Sequence, residues 1–175
     1  MDIVIKRASI EEIDKLMEWR MEVLHHVFAI PENEDTQNLS IANREYYRKS
    51  IPTGEHIAVF AEIDGVTVGC GGLCLYQEMP SPDNPSGKCA YLMNIYTRAA
   101  YRGYGAGNTI VRRLVNYAKE QGITKIYLET SDCGRALYES IGFRDMRDYM
   151  KLERNQNERI SQNNNRRKAD SFFQK

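Results

Sequence analysis

Apolar residues recur along this chain with two different periods, and the switches between them predict the order of its elements. A short β-prone run at 3–5 is followed by Ser9 and Glu12, the three-residue spacing of a helix capping box. Ile13, Leu16, Met17, Arg20, Met21 and Leu24 continue at helical spacing, so a first helix extends to about Val27. Pro31 and the acidic stretch 32–35 break it, and 41–49 reads as a second helix ending before Pro52. Two β-rich runs, 57–63 and 66–76, meet at Asp64-Gly65, a strong hairpin signal. Gly69, Gly71 and Gly72 inside the second run imply a bulge or a close backbone approach. A surface loop with three prolines at 80–87 leads to a strand over 88–97. That strand places Cys89, Tyr91, Met93, Ile95 and Thr97 on one face and Ala90, Leu92, Asn94 and Tyr96 on the other. Both faces are largely apolar, which implies burial, so the polar Asn94 either satisfies itself against backbone or lines a site.

Downstream, Ile110, Val111, Leu114, Val115 and Ala118 define a long helix that stops near Gly122. A strand at 125–130, an N-cap at Ser131-Asp132, a short helix over 133–141 closed by Gly142, and a final strand within 143–152 complete the order β, α, α, β, β, β, α, β, α, β. Beyond Glu153 the chain is polar, Asn-rich and basic, so a domain over 1–152 is expected to carry a tail, 153–175, that is flexible or docked on a partner.

Composition narrows the class. At 175 residues with 42% apolar content, the chain can fill one core. Basic and acidic residues both number 24, which argues against nucleic acid or an anionic membrane as partner, and no apolar run approaches the roughly 20 residues of a spanning helix. The four cysteines form no CxxC pair, no metal is expected, and 1–6 leads into a charged, helix-like segment rather than a signal peptide. A cytoplasmic protein with reduced thiols is the expectation. His25 and His26 read as one packed and one solvated histidine.

Candidate chemistry concentrates at 101–108, Tyr-Arg-Gly-Tyr-Gly-Ala-Gly-Asn, between the fourth predicted strand and the long helix. Three glycines at alternate positions let backbone N–H groups converge on one anion, the following helix adds unpaired donors and its positive dipole end, and Arg102 adds a full charge. A Walker loop is excluded, because no Gly-x-x-x-x-Gly-Lys-Ser/Thr string exists. A dinucleotide turn fits poorly: Asn108 stands where its third glycine belongs, and five residues, 98–102, separate the strand from the first glycine.

Arg102-Gly103-Tyr104-Gly105-Ala106-Gly107 instead fits the Arg/Gln-x-x-Gly-x-Gly/Ala signature, and here the chain resembles the GNAT superfamily of acyl-CoA-dependent N-acyltransferases. Ala136-Leu137-Tyr138-Glu139-Ser140-Ile141-Gly142-Phe143 follows in the family's order, and the likeness covers about 88–152. The resemblance implies a GNAT fold: a mixed, mostly antiparallel, twisted sheet of about six to seven strands flanked by about four helices.

It also implies an N-acetyltransferase that moves an acetyl group from acetyl-CoA to a primary amine by direct attack in a ternary complex. A non-catalytic acyl-CoA-binding regulatory module is the alternative, and a homodimer is a possible assembly. Backbone N–H groups of Gly103, Tyr104, Gly105, Ala106, Gly107 and Asn108 would hold the coenzyme pyrophosphate, with Arg102 at the turn. The main chain of Ile95, Tyr96 and Thr97 would bind the pantetheine arm, where Ser131 replaces an asparagine found in many members. Tyr138 would protonate the departing thiolate, and Asn94 would orient a water or the acceptor. Some relatives carry a glutamate near the start of the strand beginning Lys88-Cys89; this chain has none there, which leaves solvent or a carboxylate such as Glu32, Glu34 or Glu129 as candidate proton acceptors.

Overall fold

The computed structural model describes residues 2–147 and 149–152. One compact unit spans Met1–Phe143, and a second begins at Arg144. In the first, β1 (Ile3–Arg7), α1 (Ile13–Phe28), α2 (Gln37–Ser50), β2 (His56–Ile63), β3 (Val66–Gln77), β4 (Lys88–Thr97), α3 (Ala106–Glu120), β5 (Lys125–Leu128) and α4 (Asp132–Ile141) follow the expected order. The five strands form one sheet in sequence order, antiparallel from β1 to β4 and parallel between β4 and β5. No described helix is long and apolar enough to cross a membrane.

The final strand expected within 143–152 is not formed by the described residues there, 143–147 and 149–152. Its pattern explains this, since Phe143, Met146 and Tyr149 recur every third residue and would project from alternating faces of a strand. The expected tail, 153–175, lies outside the described residues.

Local chemistry accounts for the remaining boundaries. The Glu12 carboxylate accepts the Ser9 N–H at 3.2 Å, closing the expected capping box around a 3-10 turn ahead of α1. Asp64 and Gly65 both adopt positive φ, 50° and 78°, as a two-residue hairpin with primed geometry requires.

Period-two alternation on β2 divides the core into two layers. Ile57, Val59, Ala61 and Ile63 pack with Ile110, Val111, Leu114 and Ala118 of α3, whereas Ala58 and Phe60 pack with Leu16, Met17, Trp19 and Val23 of α1 and Tyr47 of α2. The glycines of β3 let α3 approach the sheet closely. A Cβ on Gly71 would overlap Ile110 Cγ2 and lie 2.9 Å from Ile95 Cδ1.

His56 is buried between Tyr46 and Tyr47, with Nδ1 3.1 Å from the Tyr46 hydroxyl. Burial, aided by the nearby Arg20 charge, holds its imidazole down to about 4. An unfolded histidine takes its proton near 6.5, so between these values the unfolded chain binds more protons and stability falls as pH drops. The expected loss from this residue is about 3 kcal/mol on going from pH 7 to pH 4. Urea melts across that range should show a shallower fall for His56→Gln than for the parent; parallel curves would remove His56 from the acid response.

Candidate active site at the splay between β4 and β5

Strand β4 outlasts its parallel partner. The ladder ends at Leu92↔Leu128, and 93–97 continue without a partner from β5. On the other edge, β3 pairs Cys70 with Tyr96 and Gly72 with Met93, so Gly71 alone opposes both Asn94 and Ile95. This is a β-bulge, and Asn94 absorbs it with φ of 59°, a left-handed conformation that asparagine tolerates better than most side chains.

The bulge overturns the simple alternation expected for 88–97. Ile95 packs with Ala90 and Leu92 on the α3 side, and Tyr96 joins Trp19 and Phe60 on the α1 side. One extra residue exchanges the faces of everything after it.

A cleft of about 450 Å³ opens at the splay. Its floor is β4 from Tyr91 to Ile95, and its far wall is Glu129, Thr130 and Ser131 beyond β5 together with Gly134 and Tyr138 of α4. The near wall is α1, through Arg20, Val23, Val27 and Phe28. Of the expected site residues, Asn94, Ile95, Ser131 and Tyr138 therefore meet in one cavity.

Tyr138 is half-buried, with its ring 5.9 Å from that of Phe143 in an edge-on arrangement. Burial, with a smaller contribution from Tyr91, raises its phenol above the usual tyrosine value, so it keeps its proton beyond pH 10. Tyr91 is raised mainly by burial and secondly by the charge of Glu129, which lines the same cleft. Of the three carboxylates considered from sequence, Glu129 lines the cleft and Glu32 and Glu34 do not. Ser131 occupies the N-cap position of α4 without a side-chain cap bond.

Asn94 satisfies its side chain while lining the cleft. Its Oδ1 accepts Arg20 Nη1 at 2.9 Å and its Nδ2 points to Cys70 Sγ at 3.7 Å, while that thiol donates to the Asn94 carbonyl at 3.4 Å. Burial pushes the Cys70 thiol up to about 12, so it stays protonated. Cys89 is also buried and raised by burial, whereas Cys133 is exposed.

The glycine stretch lies beyond the end of β4, outside the cleft lining. A 3-10 turn, Ala99–Tyr101, precedes Gly103 and Gly105 at φ of 84° and 89°, and the latter caps α3 in a left-handed conformation. The first α3 bond runs from Thr109 N to Gly105 O at 3.0 Å, which leaves the N–H groups of Ala106, Gly107 and Asn108 directed out of the helix end. Arg102 is pinned beneath the turn: Nε donates to the Thr97 carbonyl at 3.1 Å, and its guanidinium carbon stands 5.9 Å from the Tyr96 ring centre. Tyr104 is exposed and Tyr96 is buried against Trp19 and His26, so neither side chain enters the cleft. A Cβ on Gly107 would lie 3.4 Å from Leu137 Cδ2, so the turn adjoins the helix that carries Tyr138.

The chain and its fold have counterparts among known proteins. The family model described as the acetyltransferase (GNAT) family matches residues 13–143. The chain belongs to that family. Among solved structures, a predicted acetyltransferase with acetyl-CoA from Clostridium acetobutylicum superposes with a TM-score of 0.77 at 26% identity, covering 87% of this chain and 96% of that one. Among curated proteins, the thialysine N-epsilon-acetyltransferase of Sus scrofa is 28% identical over 42% of this chain and 56% of its own length. A probable glucosamine 6-phosphate N-acetyltransferase 2 of Oryza sativa subsp. japonica is 42% identical over 33% of this chain and 34% of its own. The matched stretch thus spans about half, or a third, of the length of these two curated relatives.

Sequence reasoning missed four contributors to the cleft. Arg20 was counted within an apolar helical stripe, where its charge was itself the signal of a non-core role. Val27 and Phe28 form the last turn of α1, at its expected end, and stand exposed at the cleft wall. Tyr91 was assigned to a buried strand face and instead opens into the splay.

Proposed function

We propose that this chain is an N-acetyltransferase that moves an acetyl group from acetyl-CoA to a primary amine by direct attack, with donor and acceptor bound together. The observation that carries this reading is the joining of an anion-directed glycine turn to a cleft that contains Tyr138 and an unpaired strand edge. The N–H groups from Gly103 to Asn108 hold the coenzyme pyrophosphate, and the unpaired main chain of Ile95 to Thr97 receives the pantetheine arm by adding hydrogen bonds where β5 is missing. Ser131, whose hydroxyl is not spent on capping, borders that arm.

The thioester carbon then faces the acceptor in the splay. The amine nitrogen attacks it, a backbone N–H of the splayed strand stabilises the carbonyl oxygen as charge develops, and the C–S bond breaks. Tyr138 delivers its proton to the departing thiolate, and the proton lost from nitrogen passes to Glu129, directly or through water. The products are the N-acetyl amide and free coenzyme A. Asn94 shapes the bulge and orients the acceptor side through Arg20. The four free thiols suit a reducing compartment, so we place the enzyme in the cytoplasm.

The test is ligand-induced stabilisation followed by turnover. Acetyl-CoA at a hundredfold excess over Kd should stabilise the protein by about 2.7 kcal/mol, raising Tm by roughly 5–10 °C, while ADP gives a smaller shift. Thiol release should then depend on an added amine. Equal shifts with ADP and acetyl-CoA, or thiol release independent of any amine in a broad panel, would overturn the reading.

A further inference from the structure

Arg20 is a charged residue whose packing does not explain its charge. It projects from the buried side of α1 into the cleft, between Leu16, Met17 and Trp19 behind it and Val23 and Val27 ahead. Nε donates to Asn43 Oδ1 at 2.8 Å and Nη1 to Asn94 Oδ1 at 2.9 Å. Both acceptors are neutral amides, and each is itself held, Asn43 by its Nδ2 bond to the Leu39 carbonyl at 2.8 Å and Asn94 by Cys70. A guanidinium has five N–H donors, so three remain. Among the described residues no buried side-chain nitrogen or oxygen lacks a partner, so Nη2, which has none, is accessible to solvent on a side chain that lines the cleft.

The charge around Arg20 is also uncompensated. No carboxylate among the described residues forms an ion pair with it, whereas Arg98, Arg44 and Arg135 each have one. The titratable groups that feel its field, His56, Tyr47 and Cys70, are all neutral at physiological pH, with imidazole held down to about 4 and phenol and thiol each pushed up to about 12. Glu22, two residues on and so on another face of α1, is engaged by Arg98 through a two-pronged contact of 2.7–3.2 Å. A partly buried cation that is oriented by two amides, lacks a counterion and keeps free donors in a cavity is a preorganised anion site.

Of the described residues lining the cleft, Arg20 is the one basic side chain and Glu129 the one carboxylate, and they stand on opposite walls. Between them the α1 wall is apolar, and its outer members Val27 and Phe28 are 64% and 70% exposed. The geometry points to an acceptor that is itself an anionic amine: a primary amine separated by an apolar segment from a carboxylate or phosphate, with Arg20 as the specificity-determining residue that binds the anionic end. This rests on the acyl-transfer reading for the place of the amine, which faces Glu129 and Tyr138. It adds the class of acceptor. The carboxylate and the phosphate share the same recognition, two or more guanidinium N–H groups on adjacent oxygens.

Matched probes test it. With full-length protein and acetyl-CoA, initial thiol release is measured for ω-amino carboxylates of three to six carbons, ω-aminoalkyl phosphates, and n-alkylamines of the same lengths. Binding of the same compounds to the protein saturated with coenzyme A is measured by calorimetry. At the best length, an anionic amine should be preferred over its neutral counterpart by about tenfold or more in both readouts, and the preference should shrink as salt is raised. Whether carboxylate or phosphate leads identifies the source of the anion.

In Arg20→Gln that ratio should fall to about one, and in Arg20→Lys it should persist in part; because each ratio compares two amines on one protein, any general disturbance of the cleft cancels. No preference in the parent at any length, or an undiminished ratio in Arg20→Gln, overturns the inference. If the glutamine variant does not fold, the preference and salt response of the parent decide alone. Binding preference without turnover of any amine would sustain the Arg20 site and sink the acyl-transfer reading, so the two fail separately.

Discussion

Tyr138→Phe is expected to lower kcat for acetyl transfer by about 100- to 1,000-fold while the acetyl-CoA-induced rise in Tm persists. The substitution removes one hydroxyl and keeps the ring that packs edge-on against Phe143, so α4 and the cleft wall retain their shape. What is lost is the proton for the leaving sulfur. Even a cysteine thiol ionises near 8.5, far below an alcohol or amine, so an unaided thiolate is a tolerable leaving group, and the expected loss is therefore at the lower end of what general acids supply. Burial raises the Tyr138 phenol above its ordinary value, so the donor stays protonated through the neutral and mildly alkaline range in which the acceptor amine begins to lose its proton. The rate should thus climb with pH as the amine loses its proton, with no decline attributable to Tyr138 below pH 10. Equal kcat in variant and parent would remove Tyr138 from this role, and a fall of rate beginning near neutrality that Tyr138→Phe abolishes would keep Tyr138 as the acid but overturn the upward shift of its phenol.

The second large effect concerns the fit of α3 on the sheet. Ile110→Ala should cost about 2–5 kcal/mol, since its side chain is fully buried beneath β3. Gly71→Ala should cost about 1–3 kcal/mol by overpacking, because the added methyl group would overlap Ile110 Cγ2 and crowd Ile95 Cδ1. The double variant removes the overlapping atom, so its cost should fall short of the sum of the single costs by about 1 kcal/mol or more. Urea unfolding of the four proteins measures this, and strict additivity would mean that Gly71 does not set the distance between helix and sheet. The same substitution bears on function. Gly71 is the single residue opposite the Asn94–Ile95 bulge, so Gly71→Ala should also depress turnover more than its stability loss accounts for.

Much of the fold was legible because its signals are local. Asp64-Gly65 makes a hairpin wherever two β runs meet it, the strand at 88–97 has matching bounds in sequence and structure, and the α3 stripe is read directly from spacing. The glycine turn was legible for the same reason, as left-handed φ at Gly103 and Gly105 is a property of those residues rather than of their neighbours. Local pattern failed where its period was ambiguous, in the strand expected within 143–152.

The candidate site divides along the same line. The chain by itself specified the residue types: a tyrosine on a short helix, a lone asparagine on an apolar strand, glycines ahead of a helix, and carboxylates with no assigned place. Tertiary structure decided which of them share a cavity. That Glu129 lines the cleft while Glu32 and Glu34 do not, that Ile95 and Tyr96 exchange faces, and that Arg20 reaches Asn94 are relations between segments far apart in the chain, the exchange of faces following from one register shift between β3 and β4. Register is a relation between strands distant in sequence, fixed by which apolar faces can be buried together, so no periodicity within one segment encodes it.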